Sequence, residues 1–219
     1  SIEGIVRGAM FDMQGGPAYL ALGGQVRREE ITGDLDDQFN AENYLFFIGG
    51  PDFSGSRKVA AVFAELNLPL AETLDLQLAV RHEAYEKGLN STDPKIAVSW
   101  HPRDWLRFRG SFGTAFRVPS VFQLFSSQTV LQNIIDPITE STVFRGVRTG
   151  GTNNLRPEQA DVFNAGLAFM PIEGLSLGAD YWRFDYTNII VKESAQAIVD
   201  ANPFDPKIKR EAGQILRID

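Results

Sequence analysis

The sequence predicts an all-β fold, an antiparallel up-and-down meander, and the first observation behind this prediction is the alternation of apolar and polar residues. Successive side chains of a strand point to opposite faces, so a period of two gives each strand one apolar and one polar face. The stretch 57–116 shows this pattern in four consecutive segments, which is typical of a meander. In one of them the two faces would hold Leu74, Leu76, Leu78 and Val80 on one side, and Asp75, Gln77, Ala79 and Arg81 on the other.

The second observation is the order of strands and turns along the chain. A hairpin comes first, with strands at 5–11 and 18–29 around Gly15 and Gly16. Glycine supplies the backbone angles that such a turn needs. The later strands are expected at 58–70, 74–85, 95–100, 105–116, 157–170 and 175–184. The segments 31–56 and 117–155 are expected to be irregular, and the polar segment beyond Tyr186 to contain a short helix at 192–200.

The third observation is that short and long connections alternate. In an antiparallel meander, odd and even connections lie at opposite ends of the sheet, so all the short turns fall at one end and all the long loops at the other. Outer-membrane barrels sort their connections in this way. A soluble β-sandwich has no reason to do so. The pattern therefore favours part of a transmembrane β-barrel.

The apolar face could meet lipid or a second sheet, and three features favour lipid. The strands reach about ten residues, the length that a tilted strand needs to cross a bilayer. The polar face is rich in charge, as a water-filled lumen would allow. Aromatic residues lie near strand ends, where a membrane interface would hold them. These aromatic residues are Tyr85, Trp100, Trp105 and Phe116. A soluble secreted β-sandwich that binds a ligand remains an alternative.

Composition narrows the functional classes. The chain has 219 residues, 43% of them hydrophobic, and a net charge of −7, which argues against nucleic acid as a partner. It has no cysteine, so disulfides and thiolate metal sites are excluded. No apolar run is long enough for a membrane-spanning helix. The N-terminus resembles no signal peptide, and 214–219 looks like the start of a further strand, so we expect a fragment of a longer protein.

Several strings, in order along the chain, resemble the TonB-dependent outer-membrane receptors. They are KVAAVFAELNLPL at 58–70, LAVRHEAY at 78–85 followed by PK at 94–95, RGSFGTAFRVPS at 109–120, NLRPE at 154–158, and GLS with DYW at 174–182. Two positions depart from the family pattern, since His82 stands where tyrosine is more usual and Val118 replaces the usual alanine.

The resemblance implies a plugged barrel of about 22 strands. Such a receptor takes up a scarce nutrient of the ferric siderophore, cobalamin or glycan class through the bacterial outer membrane, and works with its own plug domain and the TonB system. The plug, the TonB box and the terminal aromatic strand match nothing here. We therefore expect residues 1–219 to be a partial barrel of about eight or nine strands, plug absent, truncated at both ends. A passive porin-like barrel is the alternative within the membrane class.

Candidate ligand-binding residues fall into two groups. Charged side chains of the polar face could line the lumen, or could simply pair between neighbouring strands. Loop aromatics could stack on a ligand, or could pack loop on loop. The first group is represented by Glu65, Arg81, Arg107 and Arg109, and the second by Tyr44, Phe47 and Phe122.

Nothing in the sequence predicts an enzyme, a metal site or a cofactor. His82 and His101 have no carboxylate at metal-ligand spacing. The acidic run 34–37 lacks the glycine and distal glutamate of a calcium loop. No phosphate-binding glycine loop is present. Catalytic residues are therefore not assigned.

Overall fold

A computed structural model describes residues 1–45, 48–152 and 154–219, without the side chain of Lys87. Its strands, in chain order, are β1 (Ile2–Met13), β2 (Gly16–Gly33), β3 (Phe53–Ala71), β4 (Leu74–Tyr85), β5 (Asn90–Arg103), β6 (Leu106–Arg117), β7 (Ser127–Asp136), β8 (Ser141–Gly150), β9 (Glu158–Ile172), β10 (Leu175–Thr187), β11 (Ile208–Glu211) and β12 (Gln214–Ile218). The helices are α1 (Asp37–Asn40), α2 (Val121–Phe125) and α3 (Ala195–Ala201). The chain divides into two compact units, which are described separately.

The first unit comprises residues 1–29, 57–118 and 157–189, and it is built on the larger sheet. The strand order in that sheet is β1-β2-β3-β4-β5-β6-β9-β10, and each strand follows its sequence neighbour except where β9 follows β6. The ladders recorded for these strands are antiparallel. The all-β antiparallel meander predicted from the sequence is confirmed, with eight strands.

The register gathers apolar side chains into rows across the sheet. Leu78 lies opposite Leu66 on one side and Ile96 on the other, and Ile96 lies opposite Phe112, which lies opposite Phe163. This row is exposed: 36% of Leu78, 46% of Ile96 and 49% of Phe112 are accessible. A contiguous exposed apolar surface of this kind marks a membrane or partner contact.

The neighbouring row carries the opposite character. Asn67 lies opposite Gln77, and Gln77 opposite Ala97, which lies opposite Ser111, and Ser111 opposite Asn164. A one-residue step therefore changes the face from apolar to polar, as the alternation predicted. Tyr85 does not fit the prediction that the aromatic residues near strand ends lie at the membrane interface. It lies on the polar face with Arg81 and Glu83, and its hydroxyl donates a hydrogen bond to Glu83.

The ends of the larger sheet differ as the sequence predicted. At one end, turns of two residues join β1 to β2, β3 to β4, β5 to β6 and β9 to β10. Gly16 and Gly174 hold positive φ angles of 126° and 80° at two of these turns. The connections at the other end are longer in every case. The strands β2, β3 and β5 also extend further than the sequence pattern indicated.

The second unit comprises residues 30–56, 119–156 and 190–219, and it contains the smaller sheet, ordered β11-β12-β8-β7. Helix α3 packs on this sheet, and Ser194 caps it by accepting a hydrogen bond from the backbone N–H of Ala197. The unit has its own apolar core, formed by Ile134, Val147, Ala195, Val199, Ile208, Ile215 and Ile218.

The expectation that 117–155 is irregular is wrong, because this segment contains α2, β7 and β8. In β7 the apolar residues come in adjacent pairs, so Ile134 is buried while Ile135 is 60% exposed, and no period of two shows. The segment 31–56 likewise contains α1 and the ends of two strands. The short helix and the strand near the C-terminus are confirmed, although β12 joins the smaller sheet, where it pairs with β8 in parallel.

Among the described residues, no helix combines the length and apolar character needed to span a membrane.

Candidate functional site

The polar face of the first unit carries an ion-pair cluster near the long-loop end of the strands. Glu83 is its centre: the Nη2 of Arg27 lies 3.0 Å from one carboxylate oxygen, and the Nη2 of Arg81 lies 2.5 Å from the other. The hydroxyl of Tyr85 also donates to Glu83. Arg27 further pairs with Glu29 at 3.0 Å, and Arg57 donates to the same Glu29 carboxylate.

Glu83 is shielded from solvent at the centre of the cluster. The Glu83 side chain is only 8% exposed, and such a carboxylate needs several partners to offset its desolvation. Three guanidiniums and two carboxylates take part in these ion pairs. Arg57 and Arg27 also lie over the ring of Tyr85, with 5.1 and 5.8 Å to its centroid. A recess of about 450 Å³ opens beside it.

Arg81 packs against an aromatic ring that covers a glycine on another strand. A Cβ at Gly23 would lie 2.1 Å from the ring of Phe63, so only glycine leaves room for that ring. The guanidinium of Arg81 lies 5.6 Å from the Phe63 centroid. An aromatic ring that covers a strand glycine is a recurrent device in curved sheets. Arg81 contacts this ring while it pairs with Glu83.

A second recess, of about 470 Å³, lies on the same face nearer the short turns. Arg107 and Arg109 both line it, with Asp75, Gln77 and Lys95. Arg109 forms a bidentate pair with Asp180, with 2.6 Å from its Nη2 to both carboxylate oxygens. Gly166 lies beneath this pair, and a Cβ there would come within 2.3 Å of Asp180.

The sequence-predicted residues therefore do not form one site. Arg81 belongs to the Glu83 cluster, and Arg107 and Arg109 belong to the second recess. Glu65 accepts a hydrogen bond from Gln77 on the neighbouring strand.

The loop aromatics lie in the second unit. Tyr44 packs against Phe39 with 6.0 Å between centroids, and Phe122 meets Phe53 edge to face at 6.3 Å. Both therefore make ring contacts within the second unit while remaining partly exposed. Phe47 lies outside the described residues.

Sequence reasoning missed a recess of about 700 Å³ in the second unit. The wall contains residues from two long connections, such as Phe122 and Arg148 from one and Lys192 and Lys207 from the other. No local pattern indicates it, because the segments that form it lie far apart in the sequence. Arg27 was also missed, although it shares a period-two face with Gln25.

The described part of the chain holds no group of three His, Cys, Asp or Glu residues placed to bind a metal ion. Its two prominent recesses on the polar face offer charged and amide groups. Such groups suit the binding of a polar or anionic molecule, or of a complementary protein surface.

The family model described as TonB dependent receptor-like, beta-barrel matches residues 6–210. The chain belongs to this TonB-dependent receptor family. The match covers nearly all of the larger sheet and most of the second unit (the loop unit, residues 30–56, 119–156 and 190–219), and the resemblance seen in the sequence motifs is confirmed.

Solved structures of TonB-dependent receptors share this fold. A ferric enterobactin receptor of Pseudomonas aeruginosa, solved as a mutant with enterobactin, superposes with a TM-score of 0.65 at 18% identity, covering 84% of this chain and 26% of that one. The siderophore receptor PirA of Acinetobacter baumannii gives a TM-score of 0.61 at 16% identity, with the same coverage of 84% and 26%. At these identities the likeness establishes the fold alone.

A curated relative among TonB-dependent receptors is the heme/hemopexin utilization protein C of Haemophilus influenzae. It is 26% identical over 180 residues, which are 76% of this chain and 23% of the relative. The chain thus spans about a quarter of the length of the relatives that it matches.

Proposed function

We propose that this chain is a section of a bacterial outer-membrane receptor that takes up a scarce nutrient with energy supplied through TonB. The observation that carries the proposal is the division of one sheet into an exposed apolar face and a charged face, in a chain of the TonB-dependent receptor family. Residues 1–219 would then be a partial barrel, completed by further strands and by a plug domain.

Lipid is the partner proposed for the apolar face. A shallow groove on that face is lined by apolar side chains from several strands, among them Leu66, Leu78, Ile96 and Phe112. Acyl chains suit such a surface, since they need no hydrogen bonds from it. The proposed location is accordingly the outer membrane.

The plug is the partner proposed for the charged face. A plug fills the lumen of the large transporter barrels. The Glu83 cluster and the recess beside Arg109 offer guanidinium donors to acidic or carbonyl groups of such a domain. Glu65, Arg81, Arg107 and Arg109 remain proposals for lumen contacts with plug or ligand, and Tyr44, Phe47 and Phe122 for contacts outside.

The ligand proposed is a small iron-carrying molecule, a ferric siderophore or haem. Two receptors of similar fold are named for enterobactin and for siderophores, and a curated relative for haem utilisation. Uptake of a ligand needs no covalent chemistry from the protein, so we propose a transporter and no enzymatic activity.

The test is uptake by the full-length receptor in a Gram-negative host that lacks its own iron receptors. We expect growth on ferric enterobactin or on haem as sole iron source, and loss of that growth when TonB is deleted. Growth that survives TonB deletion would indicate a passive pore, and growth on neither iron source would overturn the ligand class.

A pair of variants tests the lumen in the same assay. Arg109→Gln should lower uptake by roughly tenfold, the effect of one lost hydrogen bond to a charged group. The matched control is Arg183→Gln. Arg183 is an exposed arginine that, like Arg109, pairs with an aspartate, in its case Asp185. It lies on the opposite face of β10 from Asp180. Equal effects of both variants would contradict a lumen role for Arg109.

A further inference from the structure

Three long connections of the second unit meet at one carboxylate. We name them loop A (residues 34–52), loop B (119–156) and loop C (190–219). Glu42 of loop A accepts hydrogen bonds from Arg148 in β8 of loop B and from Arg217 in β12 of loop C, one guanidinium on each carboxylate oxygen. The three side chains are 29%, 19% and 16% exposed, so the junction is largely shielded from water.

Loop A is folded so that Glu42 can reach this position. Glu42 has a positive φ of 57°, an uncommon backbone conformation for a residue with a side chain. Gly49 lies against the same turn, and a Cβ there would come within 2.7 Å of the Glu42 side chain. The carbonyl of Gly49 accepts hydrogen bonds from Arg148, at 3.2 Å, and from Thr129. Loop A is thus attached to loop B through backbone as well as through the carboxylate.

Loops B and C are joined independently of Glu42. The parallel ladder places Arg217 opposite Gly146 and Ile218 opposite Val147. Asp136 of loop B forms a bidentate pair with Arg210 of loop C, with distances of 2.7 and 2.9 Å. The apolar core of the unit also draws on both loops.

We propose that Glu42 acts as a latch that makes loops A, B and C move as one body. If the Glu42 carboxylate is removed, Asp219 remains as an acidic side chain that lies near both Arg148 and Arg217. Two guanidiniums beside one carboxylate repel each other, and their separation would loosen the β8–β12 junction. Hydrogen bonding from Arg148 lowers the pKa of Glu42, which keeps the carboxylate charged at neutral pH.

The latch has a consequence for the recess in this unit. Loops B and C both line it, and Arg148 and Asp219 belong to its wall. Glu42 therefore contacts the recess wall through Arg148, while the ladder between β8 and β12 holds the two lining loops together.

The experiment is hydrogen exchange measured on the full-length receptor, without ligand, for the variant Glu42→Gln. We expect exchange to speed up by about tenfold in β8 and in β12 together, because a hydrogen bond to a charged group contributes on that order. Exchange in β4–β6 should not change, which shows that the barrel remains folded. The control is Glu211→Gln, an exposed carboxylate on β11 of loop C, which should leave both segments unchanged.

A second variant, Arg217→Gln, removes the loop C side of the latch and should speed up exchange in loop A residues 37–45. Faster exchange in loop A alone for Glu42→Gln, with β12 unaffected, would overturn the proposal. So would an Arg217→Gln variant in which loop A is unaffected. Because neither measurement needs ligand or TonB, failure here is distinct from failure of the proposed uptake function.

Discussion

Asp136 illustrates how a single residue depends on a partner that lies far away in the chain. Its side chain is fully buried, and Arg210 offers two parallel hydrogen bonds to it. Hydrogen bonding from Arg210 holds the pKa of Asp136 below its ordinary value, in spite of the burial that opposes this. The pair can be retained because both charges are satisfied, whereas either one alone would be costly in this position.

Asp136→Asn should destabilise the loop unit by roughly 3 kcal/mol, the lower end of the range for a buried pair, since it leaves the partly buried Arg210 without its counter-charge. The loss of stability is measured by limited proteolysis of the full-length receptor, with mass spectrometry to detect cleavage within residues 119–156. Glu211→Gln is the control and should cleave at the wild-type rate. A wild-type rate for Asp136→Asn would show that the pair contributes nothing to the unit.

The same pair predicts a pH dependence with a definite sign. A carboxyl whose pKa is lower in the folded state stabilises that state above its unfolded pKa, and the contribution disappears as the pH falls through the folded value. Protease resistance of the loop unit should therefore be constant from neutral pH downward and begin to fall below about pH 4. Asp136→Asn should reduce that acid-induced change.

The candidate residues show the limit of reasoning one residue at a time. A period of two correctly places Arg81 and Arg109 on the charged face. It does not identify their partners: Arg109 pairs with Asp180, 71 residues further along. Ion pairs across strands depend on register, which no single strand contains.

At the level of the element, β4 was the most predictable strand, and its bounds agree with the alternation that runs from Leu74 to Tyr85. Leu78 of this strand belongs to the exposed apolar row, and the adjacent Gln77 belongs to the polar row. By contrast, β7 and β8 were missed because their core-facing residues pack on α3 and β12, from a distant part of the chain.

Leu78→Arg should destabilise the barrel by about 2–4 kcal/mol if this face meets lipid near mid-depth. Gln77→Arg is the matched control, because it introduces the same side chain one residue away on the polar face and should cost much less. Urea unfolding of the full-length receptor in lipid vesicles measures both. Equal destabilisation would argue against lipid on the Leu78 face.

At the level of the whole molecule, the connections divide by length between the two ends of the larger sheet. The turns at one end contain two residues each, and the longest connections at the other end carry the residues of the loop unit. This division agrees with outer-membrane barrels, whose short turns face the periplasm and whose long loops face outward.

An epitope tag tests this orientation. Inserted after Glu140, in the turn between β7 and β8, it should bind antibody on intact cells. Inserted after Glu173, in the turn between β9 and β10, it should bind only after the outer membrane is permeabilised. Labelling of the second site on intact cells would reverse the proposed orientation.

The amino-acid order was sufficient for the meander, the two unlike faces and the sorting of turns, because side-chain alternation and turn chemistry act over a few neighbouring residues. The folded chain alone decided that β9 follows β6, that β12 pairs with β8, and that Glu42 meets Arg217, 175 residues away. Those pairings require long loops to close around a shared core. The free energy of that closure depends on residues far apart in the chain, so no short segment of the sequence reveals it.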